Sequence, residues 1–394
     1  MALTANRKPG ASLAGTNMVR AGDYNQRVIL QAIRAGGPVT RSELAGATGL
    51  THQSVINITR RLMEDGIVQD EGAIIGGRGQ PAARLAVNPD GAYALGLNID
   101  REHVTLMLMD LSGKVRHRAY IPKRFALPED VLAFVETQLD SVLGRRLISR
   151  KRLVGLGVAM PERMDCVEAS ARPDTYSEWS SLDIVETFTE RLHMPVSVRN
   201  DVTAAVLGEL QFGQGFQFKS FVYTLISAGI GTGLVVNGQP YEGGLRQTGE
   251  IGKYPIAQDS GGSGTLWDVL SVFAFQEMLG RRGIAPDRDL DESDPQVSAA
   301  VDAWVERAAG YMVAPYLALT YTLSPERHFI GGQLPPFVIE RLCQALNARF
   351  AAYASSFPLG PFCAATTAVD AAALGAAVLA FQERLLPTPD VLMK

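Results

Sequence analysis

The spacing of hydrophobic residues changes near residue 90, and this change divides the chain into two parts. Before it, apolar residues recur about every three or four positions, which predicts amphipathic helices. After it, they alternate or form short continuous runs, which predicts strands, and further helical segments separate these runs. The turn sequence Asn88-Pro89-Asp90-Gly91 marks the boundary.

The first part predicts three helices followed by a β-hairpin. The expected elements are helices from Asp23 to Gly36, from Arg41 to Ala47 and from the cap Thr51 to Asp65, and strands at Ile67–Asp70 and Ala82–Val87. Thr40 and Glu43 have the spacing of a capping box. Any helical hairpin shares the spacing of the second and third helices, but a β-hairpin directly after them indicates a winged helix-turn-helix. Residues 1–22 show no periodicity and are expected to be a flexible arm.

The second part predicts an α/β fold of two lobes. Strands are expected at Tyr93–Ile99, Val104–Leu111, Val115–Ile121, Leu153–Met160, Val196–Val198, Phe221–Ile226, Leu234–Val236 and His328–Ile330. Helices are expected at Pro128–Leu147, Leu182–Leu192, Val202–Phe212, Leu266–Met278, Gln296–Thr322, Phe337–Phe350 and Ala371–Arg384. The run Gly229–Gly233 is interpreted as a turn that needs positive φ. Ligands in such folds bind at the carboxyl ends of strands, where Asn200 and Asp201 are expected.

Composition excludes several classes of protein. The 394 residues are 46% hydrophobic and 20% charged, as in a globular protein of two or three domains. No apolar run reaches the length of a membrane span, and the first residues lack the apolar core of a secretory signal. The three cysteines are too far apart for a disulfide framework or a zinc site. The sequence therefore predicts a cytoplasmic protein without a structural metal.

Charge is distributed unevenly along the chain. Residues 1–90 contain 10 basic and 7 acidic residues, whereas the remainder contains 27 basic and 34 acidic residues. A basic end on an acidic body favours contact of that end with a polyanion.

Double-stranded DNA is the expected polyanion. The predicted contacts are Arg41, Thr51, His52, Gln53, Ser54, Asn57, Arg60 and Arg61 in the helix-turn-helix, and Arg78 and Gln80 in the wing. Asn and Gln can read adenine, and Arg can read guanine or bind phosphate. Arg78 stands between glycines and fits a narrow minor groove. The alternative is that these residues form an ordinary solvated face.

The order of motifs resembles the ROK family of repressors, open reading frames and sugar kinases, from about Asp23 to the carboxyl end. The motifs are the winged helix, Asn200-Asp201, the glycine run, Gly249-Glu250-Ile251-Gly252 and Gly331-Gly332. The resemblance implies an actin-like, sugar-kinase type of ATPase fold over residues 89–394, with dimerisation through this part. The winged helix, residues 23–88, is implied to mark a repressor member.

The resemblance also implies roles for individual residues. Asp201 corresponds to the kinase base that accepts a sugar hydroxyl proton, and Glu250 to a ligand of sugar hydroxyls. Trp179 and Pro161 correspond to residues near the cleft. Gly229, Gly231, Gly233, Gly331 and Gly332 correspond to glycines of the nucleotide site.

Four departures argue against catalysis and zinc. Asp100-Arg101-Glu102 replaces an Asp-x-Gly phosphate turn, and Ser227-Ala228-Gly229 replaces Gly-Thr-Gly. Lys253 replaces a zinc-binding His, and Gln258–Thr265 replaces the segment with the zinc-binding cysteines. No cofactor, no zinc and no enzymatic activity are therefore expected. Trp267 stands where the family has an acidic sugar ligand, unless Asp268 takes that place by a shift of one residue.

Five of the six residues of the expected effector site have two interpretations. The predicted set is Asn200, Asp201, Glu250, Lys253, Trp179 and Trp267. Asp201 is either a retained base or a hydrogen-bond acceptor, Asn200 a ligand or a strand-end cap, and Glu250 a ligand or a turn residue. Lys253 either fills the former zinc corner or reaches an anionic ligand. Trp267 either packs in the core or stacks on a sugar.

The sequence as a whole predicts a transcriptional regulator, a repressor of carbohydrate metabolism. Its expected partners are operator DNA and a sugar or sugar-derived effector, with no membrane contact, and its expected state is a homodimer or a dimer of dimers. One alternative is a sugar kinase that uses ATP and carries a DNA-binding domain. The other is an interaction module whose cleft binds no small molecule.

Overall fold

The computed structural model describes residues 18–73, 83–145, 147–161, 164, 173–244, 248–257, 262–285, 290–354, 357–367 and 370–388. The chain divides into two compact units. The first unit contains the residues up to Tyr93, Asp110–Lys114 and the residues from Phe381 onward. The second unit contains Ala94–Met109 and Val115–Ala380.

The helices are α1 Met18–Gly36, α2 Arg41–Thr48, α3 His52–Glu64, α4 Pro128–Gly144, α5 Glu178–Ser181, α6 Ile184–Leu192, α7 Asp201–Phe212, α8 Trp267–Leu270, α9 Val272–Arg281, α10 Pro295–Leu323, α11 Pro336–Ala351 and α12 Ala371–Arg384. The strands are β1 Val39–Thr40, β2 Val68–Ala73, β3 Ala83–Val87, β4 Tyr93–Ile99, β5 Val104–Asp110, β6 Val115–Ile121, β7 Leu153–Met160, β8 Val196–Asn200, β9 Phe221–Ile226, β10 Ile230–Val236, β11 Gln239–Tyr241, β12 Pro255–Ala257, β13 Ser263–Thr265, β14 Arg327–Gly332 and β15 Phe362–Ala364.

The first unit has the architecture of a winged helix. Helices α1, α2 and α3 pack on a sheet of order β1-β3-β2. The capping box predicted at Thr40 and Glu43 is present: the Thr40 hydroxyl accepts the Glu43 N–H at 3.2 Å, and the Glu43 carboxylate accepts the Thr40 N–H at 2.7 Å. Gly49 ends α2 with φ +69°, which turns the chain into α3.

Helix α1 begins earlier than the sequence predicts. It starts at Met18, so Asp23 lies inside the helix and does not cap it. The Asp23 carboxylate accepts a hydrogen bond from Arg27 Nε at 3.1 Å, one helical turn later. Residues 18–22 of the expected flexible arm are therefore helical, and residues 1–17 lie outside the described residues.

The second unit is built on two five-stranded mixed sheets. The first sheet has the order β6-β5-β4-β7-β8, and the second has the order β11-β10-β9-β14-β15. Strands β7 and β8 are parallel, as are β9, β14 and β15, whereas β10 and β11 are antiparallel to their neighbours. Every residue of β4 and β5 is buried, and α12 packs on β4, where a Cβ on Gly96 would overlap the carbonyl oxygen of Ala373.

The glycine run has a different structure from the predicted turn. Strand β10 begins at Ile230, so Gly231 and Gly233 lie within a strand, and neither has positive φ. The reason for glycine is close packing: a Cβ on Gly231 would lie 2.7 Å from Cγ2 of Val202 in α7, and one on Gly233 would overlap Val206. The run therefore brings α7, with Asn200 and Asp201 at its start, against the second sheet.

Helix α12 packs at backbone distance on the first sheet. A Cβ on Gly157 of β7 would overlap the carbonyl of Ala376, and one on Gly375 would overlap the carbonyl of Ala204 in α7. The short strand β15 and the hairpin of β12 and β13 were not predicted, because three-residue strands carry too little periodicity. The predicted helix Leu266–Met278 is two helices, since Ser271 ends α8 and caps α9.

Candidate functional site

A cavity of about 560 Å³ lies at the carboxyl ends of β7 and β8. It is lined by Met160, Pro161, Met164, Trp179, Ser180, Ile184, Val198, Arg199, Asn200, Val202, Thr203, Val206, Thr232, Gly233, Leu234, Pro240, Tyr241, Glu242, Thr248 and Glu250. The wall combines apolar side chains with a few polar groups, and the volume lies within the range of small-molecule sites. Three residues of the predicted effector set, Asn200, Glu250 and Trp179, line it.

Asn200 both caps α7 and lines the cavity. Its Oδ1 accepts the N–H groups of Val202 at 3.0 Å and Thr203 at 3.3 Å. The side chain is therefore held in one orientation, with its carbonyl oxygen used by the helix. The two interpretations of Asn200 are compatible: the cap fixes the side chain, and the amide NH₂ group remains to face a ligand.

Gly249 positions Glu250. Gly249 has φ +88°, and a Cβ there would overlap the carbonyl oxygen of Thr232 in β10. Thr232 donates its N–H at 2.8 Å and its hydroxyl at 3.1 Å to the Gly249 carbonyl. These bonds hold the segment against the second sheet and place Glu250 in the cavity wall.

Lys253 does not line the cavity. Its Nζ lies 2.8 Å from the Glu250 carboxylate, and 71% of its side chain is exposed. The ammonium therefore partners Glu250 from outside. Lys253 thus pairs with a cavity carboxylate in this structure, and its contact with an anionic ligand stays a prediction.

Trp179 contributes its ring but not its N–H. The side chain is buried, and Nε1 donates to the carbonyl of Ala126 at 2.9 Å. Because that N–H is already bonded, Trp179 offers a ligand an apolar surface only.

Asp201 lies in a separate, smaller cavity. That cavity has about 10 Å³ and is lined by Asn98, Asp100, Asp201, Leu225, Ser227, Gly332, Gln333, Ala371 and Ala372. Burial, and after it the negative charge of Asp100, raises the pKa of Asp201 to about 6, although the Val202 N–H and Arg101 act in the opposite direction. Asp201 and Glu250 therefore line different cavities in this structure, and binding of one effector by both residues stays a prediction.

Trp267 does not line the cavity at Glu250 either; it lines a separate one beside α9. The centroid of its ring lies 5.6 Å from the guanidinium carbon of Arg101. A Cβ on Gly229 would lie 3.1 Å from the nearest carbon of the ring. These contacts agree with the packing interpretation of Trp267, and sugar stacking stays a prediction.

Two of the three charged residues that line the cavity, Arg199 and Glu242, were not predicted from the sequence. Arg199 precedes Asn200 in β8 and donates Nη1 to the Val198 carbonyl at 2.9 Å, while Glu242 follows the short strand β11. Arg199 was adjacent to a recognised motif, which was the available signal. Glu242 depends on β11, which the sequence did not reveal.

The second candidate site is the exposed face of α3. His52, Gln53, Arg60 and Arg61 are exposed there, and Asn57 is half-buried between them. Asn57 Oδ1 accepts from Gln53 Nε2 at 3.3 Å and from Arg60 at 3.4 Å. Thr51 caps the helix by accepting the Ser54 N–H at 3.2 Å, and their hydroxyls lie 2.9 Å apart. This face has the donors and acceptors that base edges and phosphates require.

Arg41 has a structural role in the described fold. Its Nε donates to the Thr59 hydroxyl at 3.0 Å, and its other end lies 3.8 Å from the Met63 sulfur, so it ties α2 to α3. Its predicted contact with DNA stays a prediction. Arg78 and Gln80, the predicted wing contacts, lie outside the described residues.

Ile56 is a feature of α3 that the sequence reading overlooked. It is 40% exposed, although Val55, Thr59 and Leu62 are buried on the opposite side of the same helix. It lies three residues after Gln53 and four before Arg60, so it shares their face. The signal was an apolar residue out of phase with the buried face.

Two absences concern only the residues that the structure describes. Among them, no group of three or more His, Cys, Asp or Glu side chains could hold a metal ion, but residues 258–261 of the segment compared with a zinc motif lie outside them. Zinc independence therefore stays a prediction. Within the same ranges, no helix is long and apolar enough to cross a membrane.

Comparison with known proteins identifies both units. The profile of the ROK family matches residues 94–383, and a winged helix-turn-helix DNA-binding profile matches residues 23–69. The xylose repressor of Bacillus spizizenii is 25% identical over 232 residues, covering 59% of this chain and 60% of the repressor. The transcriptional dual regulator NagC of Escherichia coli K12 is 26% identical over 254 residues, covering 63% of this chain and 61% of NagC. The chain thus matches about three fifths of the length of each of these two regulators.

A solved structure supports the same architecture. The crystal structure of a ROK family transcriptional regulator, a homolog of the E. coli MLC protein, superposes with a TM-score of 0.66. It is 21% identical, and the match covers 92% of this chain and 96% of that one. At this identity the similarity establishes the fold, which combines a winged helix with the actin-like, sugar-kinase type of domain.

Proposed function

The chain belongs to the ROK family, and on this premise we propose that it is a repressor whose affinity for operator DNA is controlled by a sugar-like effector. The effector binds in the cavity lined by Asn200 and Glu250. The winged helix binds double-stranded DNA through α3. Effector binding changes the arrangement of the DNA-binding units and lowers operator affinity.

One observation carries this proposal: a cavity with convergent polar groups occurs in the same chain as a DNA-binding helix. Glu250, Glu242, Arg199 and the amide of Asn200 supply acceptors and donors for hydroxyl groups, and Trp179 supplies an apolar face. Polyhydroxylated ligands need this combination, because each buried hydroxyl must keep hydrogen bonds in place of water.

The environment of Asp201 supports binding without catalysis. A general base must reach the proton that it removes, and a kinase must hold a phosphoryl donor in line. Asp201 faces a cavity of about 10 Å³ instead of the 560 Å³ cavity, and the phosphate turn carries Arg101 in place of glycine. We therefore propose that the chain is not an enzyme.

The proposal extends to location and assembly. A regulator of this kind works in the cytoplasm as a homodimer or a dimer of dimers, with no membrane partner. Two winged helices related by a twofold axis require a pseudo-palindromic operator, with half-sites one or more helical turns apart.

The variant Glu250→Gln tests the effector site. It keeps the shape of the side chain but weakens acceptance of hydroxyl hydrogen bonds, so effector affinity should fall about 10- to 100-fold, corresponding to about 1.5–3 kcal/mol. Isothermal titration with D-xylose, N-acetyl-D-glucosamine and related sugars measures this loss. Lys253→Ala is the matched control: it removes only the outer partner of Glu250, and its effect should be several times smaller. Equal affinities of wild type and Glu250→Gln for the same sugar would place the effector elsewhere.

A further inference from the structure

The turn between β4 and β5 is buried despite its charges. It consists of Asp100, Arg101, Glu102 and His103, and it is closed by a hydrogen bond from the Asp100 N–H to the His103 carbonyl at 3.0 Å. Asp100, Arg101 and His103 are only 3%, 5% and 5% exposed. Charged hairpin tips ordinarily lie in water, because burial costs the free energy of hydration unless partners replace it.

The partners of this turn lie beyond the first sheet. The Arg101 guanidinium lies 5.6 Å from the ring centroid of Trp267, the first residue of α8. The Gln333 amide nitrogen lies 3.1 Å from ring nitrogens of His103. Gln333 follows β14 of the second sheet and donates its own N–H to the Ile226 carbonyl at 2.8 Å. The turn of the first sheet is thus joined to the second sheet and to α8.

The same turn fills the space beside Asp201. The cavity that Asp201 shares with Asp100 and Gln333 has about 10 Å³, which is roughly the room of a single water molecule. Burial is the main cause that raises the pKa of Asp201; Asp100 adds to the rise, and the positive charge of Arg101 opposes it. Arg101 therefore supplies the cation near two buried carboxylates.

We propose that Arg101 takes the place of a ligand beside Asp201 by holding the turn of residues 100–103 against α8. We call this contact the tie. The Arg101 guanidinium faces Trp267 of α8, whose ring packs against Gly229 at the start of the second sheet's β10, and this contact keeps the Asp201 end closed. A phosphate group has no room beside Asp201, and an effector is confined to the cavity at Glu250. Only this last consequence rests on the proposed function; the tie belongs to the protein without effector or DNA.

Chemical rescue tests the tie. Arg101→Ala removes the guanidinium and leaves a gap of its shape, so the Tm should fall. Guanidinium chloride at low millimolar concentration should restore at least half of the lost Tm, whereas sodium chloride of equal ionic strength should not. Wild type should gain nothing from guanidinium. The control Glu102→Ala alters the same turn at a half-buried residue paired with Arg124, and it should show no rescue.

Hydrogen exchange tests the same tie from its other side. Arg101→Ala and Trp267→Leu should each increase exchange of the Gln333 and Ser227 amides about tenfold, because both amides lie where the turn meets the second sheet. The double variant should exchange no faster than the single ones, since both remove one contact. If Arg101→Ala does not fold, Arg101→Lys and Trp267→Leu are compared with wild type in the same experiment. Arg101→Lys should then increase exchange of the two amides less than Trp267→Leu does.

Two results would overturn the inference. One is that guanidinium does not restore the Tm of Arg101→Ala. The other is that the Gln333 and Ser227 amides exchange as slowly in both single variants as in wild type. Failure of the proposed function would look different. In that case no sugar would bind the Glu250 cavity, while guanidinium would still restore the Tm of Arg101→Ala.

Discussion

Ile56 shows how a single exposed side chain can bear on DNA recognition. It lies on the face of α3 that carries Gln53 and Arg60, and an apolar side chain there fits the 5-methyl group of thymine in the major groove. Polar residues on this face were predictable from the sequence. Ile56 was not, because an apolar residue in a helix is ordinarily assigned to the core.

Replacement of thymine by deoxyuridine tests Ile56. An operator is first selected from random DNA with the wild-type protein, and each thymine is then replaced in turn, which removes only a methyl group. At one or two positions wild type should lose about 3- to 5-fold in affinity, as expected for about 0.8 kcal/mol. Ile56→Ala should bind both versions equally, and Ile56→Val should keep part of the difference. Discrimination by Ile56→Ala as strong as that of wild type would exclude this contact.

Asp201 makes stability depend on pH in a defined direction. Its pKa is about 6 in the folded protein and near 3.8 in the unfolded chain. The folded state therefore holds its proton more tightly, and stability falls as pH rises between these two values. The loss above pH 6 is on the order of 3 kcal/mol, because each unit of pKa corresponds to about 1.4 kcal/mol.

Asp201→Asn should accordingly be more stable than wild type at pH 7.5, with the difference shrinking towards pH 4. Asn keeps an oxygen that can accept the Val202 N–H, so the start of α7 is preserved. Urea unfolding across this pH range measures the difference in the free energy of unfolding. A difference in the free energy of unfolding that does not change with pH would show that the pKa of Asp201 is not raised in the folded protein.

At the scale of elements, hydrophobic periodicity predicted the regular strands and helices. Features that depend on tertiary packing could not be predicted from it. The buried strands β4, β5 and β7 agree with the prediction within one residue, because their composition alone specifies buried strands. The glycine run was misread as a turn, since a glycine required by the approach of α7 looks the same as one required by positive φ. Asp201 was assigned to the ligand cavity by its motif, but the direction of its side chain depends on the core around it.

Arg27 of α1 binds the carboxyl end of α12 within the first unit. Its Nη1 donates to the carbonyls of Gln382 at 3.0 Å, Glu383 at 3.3 Å and Leu386 at 3.4 Å. The last carbonyls of a helix have no partner within it, so a cation there satisfies them and opposes the negative end of the helix dipole. The first unit therefore includes the carboxyl end of α12.

Arg27→Ala should destabilise the first unit by about 1.5–3 kcal/mol, as expected for hydrogen bonds to a charged group with a mostly buried side chain. Hydrogen exchange should rise at the Leu385 and Leu386 amides, which bond to the Phe381 carbonyl. Asp23→Ala is the control, because it removes the other partner of Arg27 and leaves the three carbonyl contacts. Unchanged exchange in Arg27→Ala would mean that these contacts do not hold the helix end.

At the scale of the whole molecule, the account requires two sites with coupled affinities. An effector that lowers operator affinity must itself bind more weakly, by the same factor, to the DNA-bound protein. The combination of a winged helix with a ROK domain could be predicted from the sequence, because the order of the motifs specified both. Which residues face the effector depends on side-chain direction, which motif order does not contain.

Operator affinity measured by fluorescence anisotropy, without and with a saturating sugar that binds the protein, tests the central claim most directly. The account predicts that the sugar weakens operator binding of wild type at least about tenfold, a coupling free energy of about 1.4 kcal/mol. Glu250→Gln should bind operator as wild type does without sugar and should need a much higher sugar concentration for release. A sugar that releases wild type and Glu250→Gln at the same concentration, or that binds the cavity and leaves operator affinity unchanged, would contradict the account.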